Sequence, residues 1–220
     1  MFCKRPTFND EYLPTFKRAN VTLVDTNGQG VERITEKGLV VDGVEYEVDC
    51  IIYSTGFEVG TSYTRRSGYD VVGRDGHTLS DHWRDGTRSL HGMGCHGFPN
   101  LFIMNTSQGG FTANFPHLLD ESALHQAHII KHTLAHNHAT VEVTKEAEDA
   151  WVETILSFAG TGPLAGLGGE SCTPGYYNNE GQPNPNAWQS APYGGGSIKF
   201  FSLLSDWRAN GEFEGLTFSG

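Results

Sequence analysis

A β-type run, residues 49–54, ends at a Thr55-Gly56 corner and closes a strand-rich segment that begins at Val21. Short apolar runs in this segment alternate with the turn signals Asn27-Gly28 and Asp42-Gly43, a pattern typical of hairpins or a meander. The segment does not contain the βαβ unit with which α/β folds generally open. The chain therefore has the strands and helices of an α/β fold without the βαβ unit that usually opens one.

Helical patterns dominate the remainder of the chain. The spacing of apolar side chains predicts helices over residues 118–136, 144–158 and 198–208. Residues 100–104 predict a short buried strand ahead of the first of these helices. Residues 160–196 form a segment rich in Gly, Pro, Asn and Tyr. A loop of that length in a compact domain usually carries function or packs against something outside it.

Composition excludes several classes of protein. The 220 residues include 15 basic and 26 acidic side chains, a net charge of −11, which argues against a nucleic-acid-binding surface. No apolar run approaches the ~20 residues that cross a bilayer, and the N-terminus carries charge and proline where a signal peptide needs an apolar core. We expect a cytoplasmic protein with no membrane contact. The four cysteines are widely separated and predict reduced, structural thiols.

Two glycine pairs are candidates for a nucleotide fingerprint, and neither stands in the required context. Gly28-Gln29-Gly30 lacks the third glycine of the dinucleotide motif. Gly160-Thr161-Gly162 follows a helical run instead of a strand. We interpret both as plain turns.

Several stretches, taken in their order and spacing, resemble the C-terminal portion of a flavin-dependent Baeyer–Villiger monooxygenase, a class B flavoprotein monooxygenase. They are CKRP, YLPTFKRANVTLVD, VDCIIYSTGF, GFPNLFIMNTSQGGFTANFPHLLDE, YYNNEGQP and YGGGSIKFF. The resemblance implies an α/β fold, the C-terminal part of a flavoprotein with two Rossmann-like dinucleotide-binding domains for FAD and NADPH. Residues 1–55 would be the end of the NADPH domain and the crossover strands. Residues 56–220 would belong to the FAD domain, with an active-site loop over about 160–197 and a closing helix.

The resemblance also implies a reaction. In the family, NADPH reduces a tightly held FAD, oxygen adds at the flavin C4a position, and the resulting peroxide converts a ketone to an ester or lactone. The partners would be a small-molecule ketone and oxygen, and the cofactors FAD and NADPH. The family's FAD and NADPH fingerprints lie upstream of the matched portion and are not in this sequence. We therefore expect a fragment that lacks the N-terminal FAD and NADPH domains and is inactive alone.

A Lys-Arg pair near the start matches the family's active-site pair. Arg5 would be the catalytic residue and would stabilise the anionic peroxide, because a guanidinium stays charged and its planar fork holds two acceptors at once. Lys4 would help to bind the NADPH 2′-phosphate. Thr55 and Gly56 would lie near the cofactor, where glycine lets backbone approach closely. Without the resemblance, the pair is a solvated charge pair and the corner is a tight turn.

A second group of candidates surrounds the Gly-rich corner before the first long helix. Backbone N–H groups at such a corner and at a helix N-terminus suit a flavin carbonyl edge that gains negative charge on reduction. The resemblance gives the cofactor-binding residues there as Gln108, Gly109 and Gly110. It gives the ketone pocket as Phe111, Thr112, Phe115, Cys172 and Tyr176. The alternative is a plain loop in which the two phenylalanines cap a core.

The chain departs from better-known family members in the Gly-rich corner and in the active-site loop. Asn105-Thr106 stands where those members often carry Gly-Pro, and Cys172 lies near the place of a loop tryptophan that reaches the nicotinamide. The loop that contains Asn178 and Asn179 is longer than in those members. In this respect the chain resembles the branch of the family that handles bulky cyclic or steroid-like ketones.

Four histidines suggest a different class of protein. They are three, four and four residues apart, a spacing that places them along one face of a helix. The four are His125, His128, His132 and His136. Two helical histidines four residues apart can ligate zinc, so a metal-binding protein is one alternative, although an exposed polar stripe is the commoner explanation. A non-catalytic binding module derived from a flavoprotein tail is another alternative.

Overall fold

The computed structural model describes residues 7–161, 175, 177–182 and 184–220. These residues group into two compact units. The first unit contains the described residues up to 60 together with 175 and 177–182, and the second contains residues 61–161 and 184–220. Each unit is described by itself below.

The first unit is built on a small antiparallel sheet. Its strands, in the spatial order β1-β2-β3, are β1 (Arg33–Ile34), β2 (Gly38–Val41) and β3 (Val44–Glu47). Asp42 and Gly43 link the last two strands with φ angles of 48° and 73°, the left-handed pair that a type I′ hairpin turn requires. The hairpin expected at this dipeptide is confirmed. A short helix, α1 (Tyr12–Thr15), and a 3₁₀ turn over Asn179–Gly181 complete the unit's regular elements among the described residues.

Two strands predicted in the first unit do not form. Residues 21–25 and 49–54 lie outside any strand, so those two predictions are wrong. Leu23 is 72% exposed and Ile52 is 83% exposed. An apolar run becomes a strand only when a neighbouring chain takes its hydrogen bonds, and the described residues provide no such neighbour for either run.

The second unit is mainly helical. Its helices are α2 (Tyr63–Ser67), α3 (Leu79–His82), α4 (Phe115–Ala135), α5 (Lys145–Ser157) and α6 (Ser197–Asn210). The three long helices confirm the sequence-based prediction. Helix α4 starts at Phe115, three residues earlier than expected, because Pro116 is tolerated in the first turn and the Asn114 side chain accepts a hydrogen bond from His117 N at 3.3 Å.

Strand pairing in the second unit joins β4 (Thr140–Val143) to β5 (Leu216–Ser219) in antiparallel register. The strand predicted over residues 100–104 does not form. Ile103 N donates to Met93 O at 2.8 Å, and Ile103 O accepts from the Gln126 side chain at 2.8 Å. That prediction is wrong because the segment bonds to a loop and to a side chain instead of a strand ladder.

Apolar faces of α5 and α6 meet in the core of the second unit. The main buried cluster consists of Met93, Trp151, Ile155, Phe200 and Leu204. A second cluster contains Leu79, Cys95 and Phe98. Met93, Cys95 and Phe98 of these clusters lie on the chain segment that leads toward residues 105–115, and Trp151, Ile155, Phe200 and Leu204 lie on α5 and α6. Within the described part of the chain, the helices lack the combination of length and apolar character that would take one across a membrane.

Candidate functional site

The Gly-rich corner, residues 105–115, connects the segment after Pro99 to helix α4. Gln108 has a φ of 57°, in the left-handed region that side-chain-bearing residues seldom adopt. Residues 108–110 are buried, Phe111 and Thr112 are half-buried, and residues 113–117 are exposed. The corner therefore has an inner part, residues 108–110, that faces the protein, and an outer part, residues 111–115, that can meet a ligand.

Gln108 is fully buried, with 0% of its surface exposed. Its side-chain oxygen accepts from Ser89 Oγ at 2.7 Å. Its side-chain nitrogen donates to Thr87 O at 2.6 Å and to Gln189 O at 2.9 Å. Its backbone N–H donates to Ala191 O at 2.9 Å, and its backbone carbonyl accepts from Trp151 Nε1 at 2.9 Å. Protein atoms already form hydrogen bonds with the side-chain and backbone polar groups of Gln108. The residue can therefore affect a cofactor only indirectly, by fixing the position of the neighbouring backbone.

The two glycines after Gln108 are packed closely by the protein. Gly109 O accepts a hydrogen bond from Tyr193 N at 2.8 Å. A Cβ atom on Gly110 would lie 2.8 Å from a ring carbon of Phe200 and 3.0 Å from a methyl carbon of Leu118. Only glycine fits at that position without movement of the core.

The outer part of the corner exposes aromatic surface. Phe115 is 44% exposed at the first residue of α4, and Phe111 is half-buried. The Phe115 ring does not belong to the buried clusters described above. The arrangement leaves apolar surface beside a helix N-terminus, a combination that suits a largely apolar ligand with one polar edge.

A second loop, residues 184–196, lies against the inner part of the corner. It consists of turns and runs from Asn184 to the start of α6. Ser190 Oγ accepts from both Thr87 N and Thr87 Oγ1 at 3.1 Å. The ring of Tyr193 stacks on that of Trp151, with 5.7 Å between centroids and an interplanar angle of 7°. The loop, the corner and the segment around Thr87 therefore form one hydrogen-bonded junction.

An ion-pair network anchors the Thr87–Ser89 side of this junction. Glu148, 1% exposed, accepts from His82 Nε2 at 2.9 Å, from His96 N at 3.0 Å and from Arg88 Nε at 3.2 Å. Burial by itself raises the pKa of the Glu148 carboxyl, but hydrogen bonds from His82 and His96 N, with the nearby charge of Arg88, lower that pKa below its ordinary value. The carboxylate is therefore charged at neutral pH and fixes the backbone beside Gln108.

The other candidate residues are not among the described residues of the second unit. Thr55 and Gly56 belong to the first unit and are exposed. Gly56 has a φ of 86°, which accounts for glycine at that corner. The remaining candidates lie outside the described residues; they are Lys4, Arg5, Cys172 and Tyr176.

The four-histidine row on α4 is only partly a surface stripe. His125 is 2% exposed, and its ring centroid lies 4.7 Å from that of Trp207. His128 stacks on Phe213 with 5.1 Å between centroids. The exposed-stripe interpretation is therefore wrong for His125, which belongs to the interior. Across residues 7–161, 175, 177–182 and 184–220, no group of three or more His, Cys, Asp or Glu is placed to hold a metal ion, so the metal-binding alternative gains no support there.

Sequence reasoning missed the partners of Gln108. Ser89, Trp151 and Gln189 lie 19, 43 and 81 residues from it along the chain. No local pattern connects positions so far apart. The one local signal was a side-chain-bearing residue directly before two glycines in a tight turn.

Comparison with protein-family models gave no match. Among curated proteins, the chain is 49% identical over 218 residues to a pentalenolactone D synthase of Streptomyces exfoliatus, covering 98% of the chain and 37% of that protein. It is 42% identical over 216 residues to Baeyer-Villiger monooxygenase 4 of Dietzia sp., covering 98% of the chain and 34% of that protein.

Solved structures agree with these matches. A polycyclic ketone monooxygenase from Thermothelomyces thermophila has a TM-score of 0.86 and 40% identity, covering 99% of the chain and 35% of the solved chain. A steroid monooxygenase bound to NADP has a TM-score of 0.77 and 28% identity, covering 99% and 39%. The chain thus spans little more than a third of the relatives that it matches.

Proposed function

Because the chain is related over almost its whole length to the Baeyer–Villiger monooxygenases, we propose that it supplies the flavin-supporting corner and the ketone pocket of such an enzyme. The observation that carries the proposal is the division of residues 108–115 into a buried, hydrogen-bonded inner part and an outer part in which Phe111 and Thr112 are half-buried and Phe115 is exposed. Since the chain spans about 35% of the relatives, the complete reaction needs the rest of the fold. The isolated chain is inactive in this proposal.

The corner fits one edge of a flavin. The 21-residue helix α4 begins at Phe115, the last residue of the corner, with the positive end of its dipole. Bound FAD, reduced by NADPH, supplies the oxygen chemistry. Gln108, Gly109 and Gly110 are buried, so in this proposal they serve the cofactor by fixing the backbone that leads to the outer part of the corner, which would face the carbonyl edge. In the first unit, Thr55 and Gly56 are proposed cofactor contacts, with Lys4 assigned to the NADPH phosphate.

The outer part of the corner would set the shape of the ketone pocket. Phe111 and Phe115 offer apolar surface that excludes water, and the half-buried Thr112 adds one hydroxyl. Cys172 and Tyr176 are proposed to line the same pocket. The related structures are named for polycyclic ketones and steroids, and we extend that class, bulky cyclic ketones, to this chain. In the balanced reaction, ketone, O₂, NADPH and a proton give ester or lactone, NADP⁺ and water.

Arg5 is the proposed catalytic residue. A guanidinium keeps its positive charge at any working pH and offers a planar fork of donors, so it can stabilise negative charge that develops during oxygen transfer. Lysine would keep the charge without the fork. Arg5→Lys should therefore recover little of the activity that Arg5→Ala loses.

A chimera tests the proposal. The matched third of the Thermothelomyces thermophila enzyme is replaced by this chain, and ester formation is measured beside NADPH consumption. We expect ester from a bulky cyclic ketone, and we expect Arg5→Ala to lose about 10²-fold or more in ester formation while NADPH oxidation continues and yields hydrogen peroxide. A folded, FAD-containing chimera that forms no ester would overturn the proposal.

A further inference from the structure

We propose that Gln108 is a positioning residue that locks the 184–196 loop against the Gly-rich corner and thereby forms the ketone pocket. The inference rests on the proposed function for its catalytic meaning. Its structural part, the locking of one loop by one side chain, concerns the described residues alone.

The hydrogen bonds of Gln108 join separate segments of the chain. Its side-chain nitrogen donates to Thr87 O at 2.6 Å and to Gln189 O at 2.9 Å. Its backbone N–H donates to Ala191 O at 2.9 Å. One residue therefore contacts the loop at two carbonyls and the Thr87 segment at a third. Its side-chain amide adds to the direct bonds of Ser190 Oγ and the Gln189 side chain with Thr87, so loss of the amide weakens the link between these two segments.

The backbone of Gln108 lies in a conformation that does not favour glutamine. A φ of 57° is cheapest for glycine or asparagine. A long side chain at such a position, with 0% of the residue exposed, loses conformational freedom on burial. The turn alone therefore gives no reason for glutamine, whereas the bonds to Ser89, Thr87 and Gln189 use both the oxygen and the nitrogen of its amide.

The loop has other anchors, and they meet at the same place: Ser190 Oγ accepts from Thr87, the Gln189 side chain donates to Thr87 O, and Tyr193 N donates to Gly109 O. Its turns make local hydrogen bonds, such as Ala191 N to Trp188 O at 3.2 Å, which do not fix its place on the protein. Its bonds to the corner and to the Thr87 segment converge on Gln108, Gly109 and Thr87. A carboxylate in place of the Gln108 amide would face Thr87 O and Gln189 O without a proton to donate, and would repel both carbonyls.

The test compares two buried glutamines in the full 220-residue chain. In Gln108→Glu, amide hydrogen exchange of residues 184–196, followed by mass spectrometry, should accelerate by about tenfold or more. The matched control is Gln126→Glu, because Gln126 is 8% exposed and its side chain donates only to Ile103 O. The two variants are compared under conditions that give them the same free energy of unfolding. The control should then leave the exchange rate of residues 184–196 unchanged. Equal acceleration in both variants, or none in Gln108→Glu, overturns the inference.

A milder variant covers the case in which Gln108→Glu does not fold. Ser89→Ala removes only the donor to the Gln108 side-chain oxygen, and it should still raise exchange in residues 184–196 by roughly threefold. Unchanged exchange in that variant would equally overturn the inference.

The catalytic consequence is measured in the chimera. Gln108→Glu should raise KM for the ketone by about tenfold and lower kcat by much less, because the pocket is incompletely formed; Gln126→Glu should leave both values near those of the parent. A parent chimera without activity contradicts the proposed function and leaves the exchange result standing. An active chimera in which Gln108→Glu keeps its KM contradicts the positioning role.

Discussion

The Nε2 atom of His125 lies 3.4 Å from Nδ1 of His91 in the interior of the second unit. Both rings also pack against Trp207. Burial lowers the pKa of His91 from 6.5 to about 4. Burial, together with the nearby charges of His91, Arg208 and His128, lowers the pKa of His125 to about 3. Both imidazoles are therefore neutral in the folded protein at neutral pH.

We predict that the free energy of unfolding falls as the pH falls from about 6.5 to about 4. In this window the unfolded chain binds a proton at each histidine, whereas the folded chain does not, so each histidine removes up to about 1.4 kcal/mol per pH unit. Urea unfolding between pH 7.5 and 4.5 measures the slope. His125→Gln should flatten it, and the exposed His136→Gln should not. Parallel slopes for the parent and both variants would contradict the assignment.

Glu148 provides a prediction about stability. Its carboxylate accepts hydrogen bonds from His82, Arg88 and the N–H of His96. Glu148→Gln removes the charge at an unchanged size and should lower the free energy of unfolding by about 2–3 kcal/mol, the usual value of buried hydrogen bonds to a charged group. Chemical unfolding at pH 7 measures the loss. Glu146→Gln, on the exposed side of α5, is the control and should change stability by less than about 0.5 kcal/mol.

Gly110 provides a prediction about packing. A Cβ atom there would lie 2.8 Å from Phe200 and 3.0 Å from Leu118, so Gly110→Ala should destabilise the second unit by about 1–3 kcal/mol through overpacking. Phe200→Leu in the same chain makes room for the new methyl group. The double variant should lose less free energy of unfolding than the sum of the two single variants. Strict additivity would mean that the methyl group finds space elsewhere.

Local signals predicted part of this fold. The three long helices follow from apolar spacing, and the hairpin between β2 and β3 follows from Asp42-Gly43. The strands expected over residues 21–25 and 49–54 failed because a strand depends on a neighbour that a local pattern cannot supply. The pairing of Val141 with Phe218 was not anticipated for the same reason, since it joins distant parts of the chain.

The Gly-rich corner was recognisable from the sequence, whereas the contacts that hold it in place were not, and its role as a site stays a prediction. The corner stands out in the sequence by its glycines, and in its outer part Phe111 and Thr112 are half-buried while residues 113–115 are exposed. The burial of Gln108 and its bonds to Ser89 and Trp151 depend on tertiary contacts between separate segments. The placement of Arg5 and Lys4 stays a prediction.

Phe111 provides a prediction about specificity. If its ring forms one wall of the ketone pocket, Phe111→Ala in the chimera should change the relative rates for small and bulky ketones by about tenfold, because aromatic bulk sets pocket volume. Competition between a monocyclic and a polycyclic ketone measures the ratio. The exposed Phe57 of the first unit offers a matched Phe→Ala control. An unchanged ratio for Phe111→Ala would place the ring outside the pocket.

The fate of molecular oxygen tests the central claim most directly. A purified chimera carrying this chain is supplied with NADPH, a bulky cyclic ketone and ¹⁸O₂, and the product is analysed by mass spectrometry. A monooxygenase places one atom of O₂ in the product and releases the other as water. We predict an ester or lactone with a single ¹⁸O atom, formed at about one molecule per NADPH consumed. A folded, FAD-containing chimera whose ester contains no ¹⁸O, or which consumes NADPH and returns all of the oxygen as hydrogen peroxide, would contradict the account.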